Sequence, residues 1–250
     1  MTEIEHLFRH QLEHRTIRAF KDTPISQTLL NQLLEVTRQT ATSNGMQQYS
    51  IIHVTDQGLK DSIAKIAKQA YISTIPTLLI FIVDQYRNAQ LALESCGKAE
   101  HASDADKFFQ GFTDAALGAQ NTVNAAESVG LGTLFLGSIL NDSEKMCELL
   151  ALPELTFPVV GLGLGYPDQA PQLKPRMSNE LKVFENTYKR FDHYLEEFKG
   201  YDEAMQTYYD LRNINQRMDS FSQQAATKMN QCSPKRQAIL DKVRKQGFQV

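Results

Sequence analysis

Residues 157–188 read FPVVGLGLGYPDQAPQLKPRMSNELKVFENTY, and the fold is organised around this stretch. Its first residues are apolar and include two β-branched valines, which favour a core strand. The glycines at positions 161, 163 and 165 then remove every second side chain, so one face of the strand is bare backbone. A flat ligand or another element of the fold can pack against such a face, and the sequence alone leaves both possibilities open.

A proline-containing loop follows the glycines and ends in two cations, Lys174 and Arg176, on either side of Pro175. This order predicts a core strand that delivers a basic loop to a binding site. Surface cations are commonly only solvated, so the pair indicates an anion site only together with residues elsewhere in the chain. The glycines do not fit GxGxxG followed by a helix, and no GxSxG, HExxH or P-loop motif occurs, which argues against those sites.

Composition and charge exclude several classes of protein. The chain has 250 residues, 42% of them hydrophobic, which is enough for one large core or two modest ones. Its net charge of −3 gives no overall field for nucleic acid, so no nucleic-acid partner is predicted. No apolar run approaches the length of a bilayer span and the first residues form no apolar signal core, so we predict a cytoplasmic protein without a membrane partner. Three widely separated cysteines, Cys96, Cys147 and Cys232, indicate reduced thiols.

Hydrophobic periodicity predicts the secondary structure of most of the chain. The predicted helices cover residues 3–13, 24–38, 57–70, 104–129, 143–151, 194–208, 213–229 and 234–246, and the predicted strands cover residues 49–54 and 78–83 and begin again near residue 157. The longest helix is rich in alanine and glycine in its second half. Because small residues allow close approach, we expect this helix at the centre of the molecule or across a dimer contact.

Two candidate sites occur near the N-terminus. Three histidines fall at successive i+4 positions: His6, His10 and His14. They lack carboxylate or thiolate partners on their face, so a solvated or packed histidine face is favoured and no metal site is predicted. Arg15 and Arg18 flank Thr16, and guanidinium groups beside a hydroxyl suit a phosphate, although a basic helix end is the alternative.

Two further segments carry polar or basic side chains. Residues 41–48 form a loop of small polar residues that either wraps a ligand or only connects two elements. The last predicted helix carries five cations, for which a solvated basic face is the expectation. They are Lys235, Arg236, Lys242, Arg244 and Lys245. The aromatic residues between Tyr194 and Tyr208 recur every three to four positions and are predicted to pack together.

Taken in order and spacing, these segments resemble the FMN-dependent nitroreductase superfamily. The segments are HRTIRAF at 14–20, the loop at 41–47, QAY at 69–71, the glycines near 137 and LKPR at 173–176. Within that superfamily the chain is similar to the bacterial oxygen-insensitive NADPH nitroreductase and NADPH–flavin oxidoreductase branch. The most specific parts are HRxIRxF and the block GLxLGxPxxxPxLKPR that ends in ENxY, and the resemblance covers essentially the whole chain.

The resemblance implies a fold and a set of binding residues. The implied fold is α+β, with a central, mostly antiparallel sheet flanked by helices, in an intertwined homodimer. Residues 1–250 would form one FMN-binding domain, with a mainly helical C-terminal extension from about residue 190. The implied phosphate and ribityl ligands are His14, Arg15, Thr16, Arg18, Lys174 and Arg176. The residues implied at the polar edge of the flavin are Thr42, Ser43, Gln47, Gln69 and Tyr71, and those against its ring are Leu136, Gly137 and Ser138.

The same resemblance implies an activity. The chain would transfer a hydride from NADPH, or NADH, through the flavin N5 to nitroaromatics, quinones or free flavin by a ping-pong mechanism. No side chain is expected to act as a catalytic residue, because the flavin carries the chemistry. The alternative is a flavin-binding carrier or sensor without significant turnover.

The chain departs from the family pattern at one segment. Where this branch has a GGLRN-like sequence, residues 137–141 read GSILN, so Leu140 replaces a cation expected near the pyridine nucleotide. Arg212 and Arg217 lie in a stretch that resembles the family's NADPH-binding excursion and are the candidate dinucleotide ligands. The usual tryptophan after that stretch is Phe221 here.

Overall fold

The computed structural model describes residues 3–208 and 218–250. They divide into a larger compact unit, which extends to Gln169 and includes Ser233–Val250, and a smaller unit, Ala170–Cys232. Among the described residues, no helix has both the length and the apolar character needed to cross a bilayer. The loop that carries Lys174 and Arg176 belongs to the smaller unit from Ala170 onward.

A four-stranded antiparallel sheet lies at the centre of the larger unit. Its strands are β1 (Tyr49–Val54), β2 (Thr77–Asp84), β3 (Gly132–Leu136) and β4 (Thr156–Gly165), in the spatial order β1-β2-β4-β3. Each neighbouring pair is antiparallel. All residues of β2 are buried, as expected for an apolar strand covered on both faces. The predicted α+β class with a central antiparallel sheet is confirmed.

Helices occupy most of the remaining described chain. Numbered along the chain, they are α1 (Glu3–Leu12), α2 (Gln27–Arg38), α3 (Gln57–Ala67), α4 (Tyr86–Cys96), α5 (Ala105–Ser128), α6 (Ser143–Leu149), α7 (Tyr194–Glu197), α8 (Lys199–Gln206), α9 (Phe221–Met229), α10 (Pro234–Gln237) and α11 (Ile239–Lys245). Short 3-10 turns cover Ser43–Gly45, Ala70–Thr74, Gly137–Asp142 and Asn179–Leu181. These bounds confirm most of the predicted helices within a few residues.

Several elements differ from the sequence predictions for local reasons. The helix predicted to reach residue 70 ends at Ala67 because Lys68 adopts the left-handed conformation, with φ 55°. The helix predicted over residues 194–208 is broken at Phe198 into α7 and α8. Helix α4 and strand β3 were not predicted. Residues 213–217 of another predicted helix lie outside the described residues, and its described part is α9.

Helix α5 packs across the sheet against β1, β2 and β4, and also against α2. Its alanines at 115, 119 and 126 are fully buried, so the backbone of the helix approaches the strands closely. This confirms the predicted central position of the long helix. Large apolar side chains remain exposed elsewhere on α5, with Phe109 58% and Leu117 49% accessible.

The bare face of β4 is filled by protein side chains. A Cβ added at Gly163 would lie 2.4 Å from Cδ2 of Leu134, and one at Gly165 would lie 2.7 Å from Cδ1 of Phe20. At Gly161 the nearest atom is the Cβ of Leu136, at 3.1 Å. Of the two possibilities for this face, close packing of another element of the fold is therefore the correct one.

Aromatic rings pack together in the smaller unit. The ring centroids of Phe191 and Tyr194 are 5.3 Å apart, and those of Phe198 and Phe221 are 5.9 Å apart. Tyr201 also contacts Phe221, at 5.3 Å. Offset and edge-to-face rings at these separations are favourable contacts. The prediction that the recurring aromatic residues pack together is confirmed.

Substitution of Gly163 tests the close packing at β4. Gly163→Ala is expected to destabilise the protein by about 1–3 kcal/mol, because its methyl group would overlap the Leu134 side chain in a closely packed core. Urea unfolding followed by circular dichroism measures the change. Gly200→Ala is the control, since a Cβ there meets no atom within 4 Å and α8 tolerates alanine. Equal stability of Gly163→Ala and wild type would contradict the packing described for this face.

Candidate functional site

The basic motif at residues 14–20 is fixed along the edge of the sheet. Thr16 pairs with Thr133 of β3 as an isolated parallel bridge, and the N–H of Ile17 donates to the Thr133 carbonyl at 2.9 Å. Ile17 is buried, and Gly132 leaves room for it, because a Cβ at Gly132 would lie 2.7 Å from Cγ1 of Ile17. With Ile17 turned inward, its neighbours Thr16 and Arg18 remain partly exposed.

Glu127, near the end of α5, connects this motif to the sheet. Its Oε1 lies 2.7 Å from Nδ1 of His14 and accepts from the Thr133 hydroxyl at 2.5 Å. Because Nδ1 of the imidazole is engaged, Nε2 is the ring nitrogen left for other partners. Arg15 folds back, its Nη1 donating to the Glu13 carbonyl at 2.8 Å. Sequence reasoning missed Glu127, since its partner His14 is far away in the chain.

The polar loop, residues 41–48, is held at its backbone from two sides. Asp114 of α5 accepts the N–H of Ser43 at 2.8 Å and that of Gln48 at 3.1 Å. From α4, Asn88 Nδ2 donates to the Met46 carbonyl at 3.0 Å, and Arg87 Nη2 donates to the Gln47 carbonyl. Within the described part of the chain, the hydroxyl of Ser43 and the side-chain amide of Gln47 make no hydrogen bond of their own. Both are therefore available to a ligand.

The turn after β3 combines a buried side chain with an open backbone. Leu136 is 1% exposed, so its side chain belongs to the core and only its backbone is available to a ligand. Gly137 is exposed, and a Cβ there would meet nothing within 4 Å. The hydroxyl of Ser138 donates to Oε1 of Gln69 at 2.7 Å, which brings two predicted site residues together. Tyr71 packs partly buried against the core beside them.

The C-terminal helices are tied to the same turn by their cations. Arg236 donates to the Gly137 carbonyl at 2.7 Å and to Oδ1 of Asn141 at 3.3 Å. Lys235 pairs with Asp142. These cations are thus paired with specific groups rather than only solvated, while Lys235 stays 64% exposed as predicted for a surface face. Their partners lie more than ninety residues away in the chain, and no local sequence signal identifies such pairs.

Glu144 completes this attachment by accepting from two lysines of α11. The distances are 2.5 Å to Lys242 and 2.7 Å to Lys245. These two hydrogen bonds lower the pKa of the Glu144 carboxyl from its ordinary value of 4.5 to about 2. Leu140, in the same turn, is 8% exposed and part of the hydrophobic core. Its side chain therefore fills the core at the position where the family pattern has a cation.

The predicted phosphate ligands of the smaller unit lie on its loop. Nη1 of Arg176 donates to the carbonyls of Lys174 at 3.0 Å and Pro175 at 3.3 Å. Arg176 also lines a cavity of about 600 Å³ in that unit, together with Lys189 and Tyr201. Convergence of Lys174 and Arg176 with Arg15 and Arg18 on one phosphate stays a prediction. The predicted dinucleotide ligands, Arg212 and Arg217, lie outside the described residues.

A cavity of about 690 Å³ lies beside the polar loop and is lined by Thr42, Gln47 and Arg87, among others. No residue of the turn at Gly137–Asp142 lines it. The loop and the turn therefore do not share this cavity, although both were predicted to contact one cofactor.

The arrangement suits binding of a planar anionic cofactor better than side-chain catalysis. The parts are separate in one copy of the chain: arginines in the 14–20 motif suit a phosphate, and the open backbone at Gly137 suits a ring system. Burial raises the pKa of the Cys147 thiol to about 12, so this thiol is not a nucleophile. Among the described residues, no three His, Cys, Asp or Glu side chains are grouped as a metal site would require.

Comparison with known proteins covers both units. The sequence model of the Nitroreductase family matches residues 12–166, and that of the Nitroreductase family, C-terminal domain, matches residues 174–250. The chain is 34% identical over 248 residues to the NADPH-dependent oxidoreductase of Staphylococcus saprophyticus, covering 98% of each chain.

Two further relatives carry more specific names. Identity to the oxygen-insensitive NADPH nitroreductase of Salmonella typhimurium is 34% over 236 residues, or 94% of this chain and 95% of that one. The solved structure of the NADPH:FMN oxidoreductase from Vibrio harveyi, complexed with NAD+, superposes with a TM-score of 0.86 at 31% identity. That superposition covers 96% of this chain and 97% of the other.

The carboxyl of Glu144 provides a pH test of the C-terminal attachment. Since its pKa in the folded protein lies below that in the unfolded chain, its contribution to stability is complete above about pH 4.5 and is lost as the pH falls toward about 2. Wild type is expected to resist urea better than Glu144→Gln at neutral pH, with the difference shrinking across that window. Urea midpoints of the two proteins as a function of pH measure it.

A difference between wild type and Glu144→Gln that stays constant down to about pH 2.5 would contradict the ion pairs with Lys242 and Lys245. Glu35→Gln is the control, because Glu35 pairs with Arg38 on its own helix, away from Glu144 and its lysines.

Proposed function

The chain belongs to the nitroreductase family and is an NAD(P)H-dependent oxidoreductase that uses FMN, and we propose that it reduces nitroaromatics, quinones or free flavin. The family match over both units supports the activity. For the position of the cofactor, the observation that carries the proposal is the open backbone at Gly137 beside the buried Leu136. It leaves space for a flat ring without a side chain in the way.

The proposed cofactor ligands form three groups. His14, Arg15, Thr16, Arg18, Lys174 and Arg176 hold the phosphate and ribityl chain; Thr42, Ser43, Gln47, Gln69 and Tyr71 line the polar edge; Leu136, Gly137 and Ser138 lie against the ring through their backbone. A phosphate carries close to two negative charges at neutral pH, and charge-assisted hydrogen bonds from arginine suit it. Glu127 orients His14 for this role through Nδ1.

When bound, FMN supplies the redox chemistry by accepting a hydride from NADPH, or NADH, at N5 and passing it to the acceptor in a ping-pong cycle. The protein supplies position. Two hydrogen bonds fix the turn that would face the ring. Ser138 donates to Gln69, and Arg236 donates to the Gly137 carbonyl. Arg212 and Arg217 are the proposed dinucleotide ligands.

We propose that the cofactor site is completed by a second copy of the chain. The loop and the turn do not line one cavity beside the loop, so a flavin that contacts both would take one of the two from a second copy. Helix α5 also exposes Phe109 and Leu117, which a monomer would leave in water. The whole chain, residues 1–250, is proposed to act as one FMN-binding domain with residues from about 190 as its helical extension.

Comparison of FMN with riboflavin isolates the phosphate contacts. Arg15→Gln is expected to weaken FMN binding by roughly 10-fold or more, because it removes charge-assisted hydrogen bonds to the phosphate. Riboflavin, which has no phosphate, should bind the variant and wild type equally. Quenching of flavin fluorescence measures both affinities.

Arg244→Gln is the matched control for this comparison, because Arg244 pairs with Asp241 on its own helix and should leave both affinities unchanged. Loss of riboflavin binding in Arg15→Gln, in parallel with FMN, would place Arg15 away from the phosphate.

Anaerobic reduction separates the enzyme from a flavin carrier. Addition of NADPH to the FMN-loaded protein is expected to remove the visible absorbance of the flavin, and addition of menadione or a nitrofuran should restore it. Because the acceptor takes the place of the dinucleotide, initial rates should give parallel double-reciprocal lines. A yellow protein that neither NADPH nor NADH bleaches would instead support the carrier.

A further inference from the structure

Asp114 is a fully buried carboxyl group, 0% exposed, in the middle of α5. No ion pair to it occurs within the described residues, and its carboxyl accepts hydrogen bonds from two backbone N–H groups, those of Ser43 and Gln48. Burying a carboxyl away from water is costly unless hydrogen bonds compensate it. The two hydrogen bonds offset the cost of burying this carboxyl. We therefore look to these two N–H groups for the role of Asp114.

Those two N–H groups belong to the two ends of the polar loop. Oδ1 accepts from Ser43 at 2.8 Å and Oδ2 from Gln48 at 3.1 Å, so one side chain fixes the distance between the ends. Gly111 lies three residues earlier, on the same face of α5. A Cβ at Gly111 would lie 2.7 Å from the Gln48 carbonyl, so only glycine lets the loop approach the helix this closely.

The conformation between the two ends requires such support. Gln47 has φ 48°, in the left-handed region that residues other than glycine and asparagine seldom occupy unless surrounding contacts hold them, and Asn44 has φ 53°. Asn88 and Arg87 bind the carbonyls of Met46 and Gln47 from the other side. With its backbone held in this way, the loop keeps the side chains of Ser43 and Gln47 unengaged among the described residues.

We propose that Asp114 is a positioning residue for the flavin site. It binds the backbone at both ends of the loop, so that Ser43 and Gln47 are directed to the polar edge of FMN before the cofactor binds. Asp114 is buried and touches no cofactor itself. This inference rests on the proposed function, because it takes the loop to line the flavin. A loop ordered in advance binds its ligand without a further loss of conformational freedom.

Asp114→Asn tests the inference with little change of shape. Its amide nitrogen cannot accept, so one of the two loop N–H groups is left without an acceptor. FMN affinity, measured by fluorescence quenching, is expected to fall roughly 10-fold or more. Amide hydrogen exchange in the flavin-free protein should become faster at Ser43 and Gln48. Riboflavin binding should be weakened as much as FMN binding, because the loop meets the edge of the ring, which both flavins share.

Thr122→Val is the matched control. Thr122 is also fully buried on α5, about 12 Å further along the helix, and its hydroxyl bonds Thr37 at 2.6 Å. The variant should lower stability yet keep FMN affinity within about twofold of wild type, because sites without shared partners act independently. If Asp114→Asn does not fold, Gly111→Ala displaces the Gln48 carbonyl while keeping the carboxyl, and should weaken FMN in the same way.

The inference would be overturned if Asp114→Asn bound FMN as tightly as wild type does. It would also be overturned if Thr122→Val weakened FMN binding as much as Asp114→Asn does. Unchanged exchange at Ser43 and Gln48 would overturn it as well. Wild-type protein that binds no FMN would contradict the proposed function and with it the cofactor role of Asp114. Faster exchange confined to the two amides would in that case still identify Asp114 as the anchor of the loop.

Discussion

The structure depends on the close approach of side chains to the glycine backbone of β4. Leu134 from β3 and Phe20 from the N-terminal motif lie where the side chains of Gly163 and Gly165 would otherwise be. Interiors packed at this density accept no added methyl group without a shift of their neighbours. The contacts decide where β3 and residues 14–20 lie, and therefore where the turn at Gly137–Asp142 and the basic motif reach the surface.

Helix α5 connects the other parts of the site to this sheet. Its small residues let it lie against the strands, and it carries one carboxyl group near its middle and another near its C-terminal end. Asp114 binds the backbone of the polar loop, while Glu127 binds His14 and Thr133. Asp114 is fully buried and Glu127 is partly buried, and both have hydrogen-bonded partners, as the cost of burial requires. One rigid element thus fixes two separate segments that the family resemblance assigns to one cofactor.

Much of this arrangement was predictable from the sequence where the signal is local. The alternating glycines, the long alanine-rich helix and the buried run at β2 each carry a periodicity that identifies their element. Strand β3 was missed because GTLFL is short and preceded by a glycine, and α4 because it buries Ala89 but leaves Leu91 and Leu93 exposed, so no core-facing stripe marks it. The lysines that bind Glu144 were predicted to be solvated, since pairing between residues so distant in the chain leaves no periodic trace. Leu140 is a second case that local sequence patterns could not explain. Only the folded core shows why an apolar residue occupies the position where the family pattern has a cation.

A crystal structure of the FMN-loaded protein tests the central claim most directly, namely that a preformed turn and loop of this chain receive the flavin. The account predicts the ring against the backbone of Gly137 and Ser138, with the side chains of Ser43 or Gln47 at its edge and the phosphate among the arginines of the 14–20 motif. It also predicts that Asp114 keeps both of its backbone hydrogen bonds. A flavin bound away from the turn at Gly137–Asp142 would contradict the account.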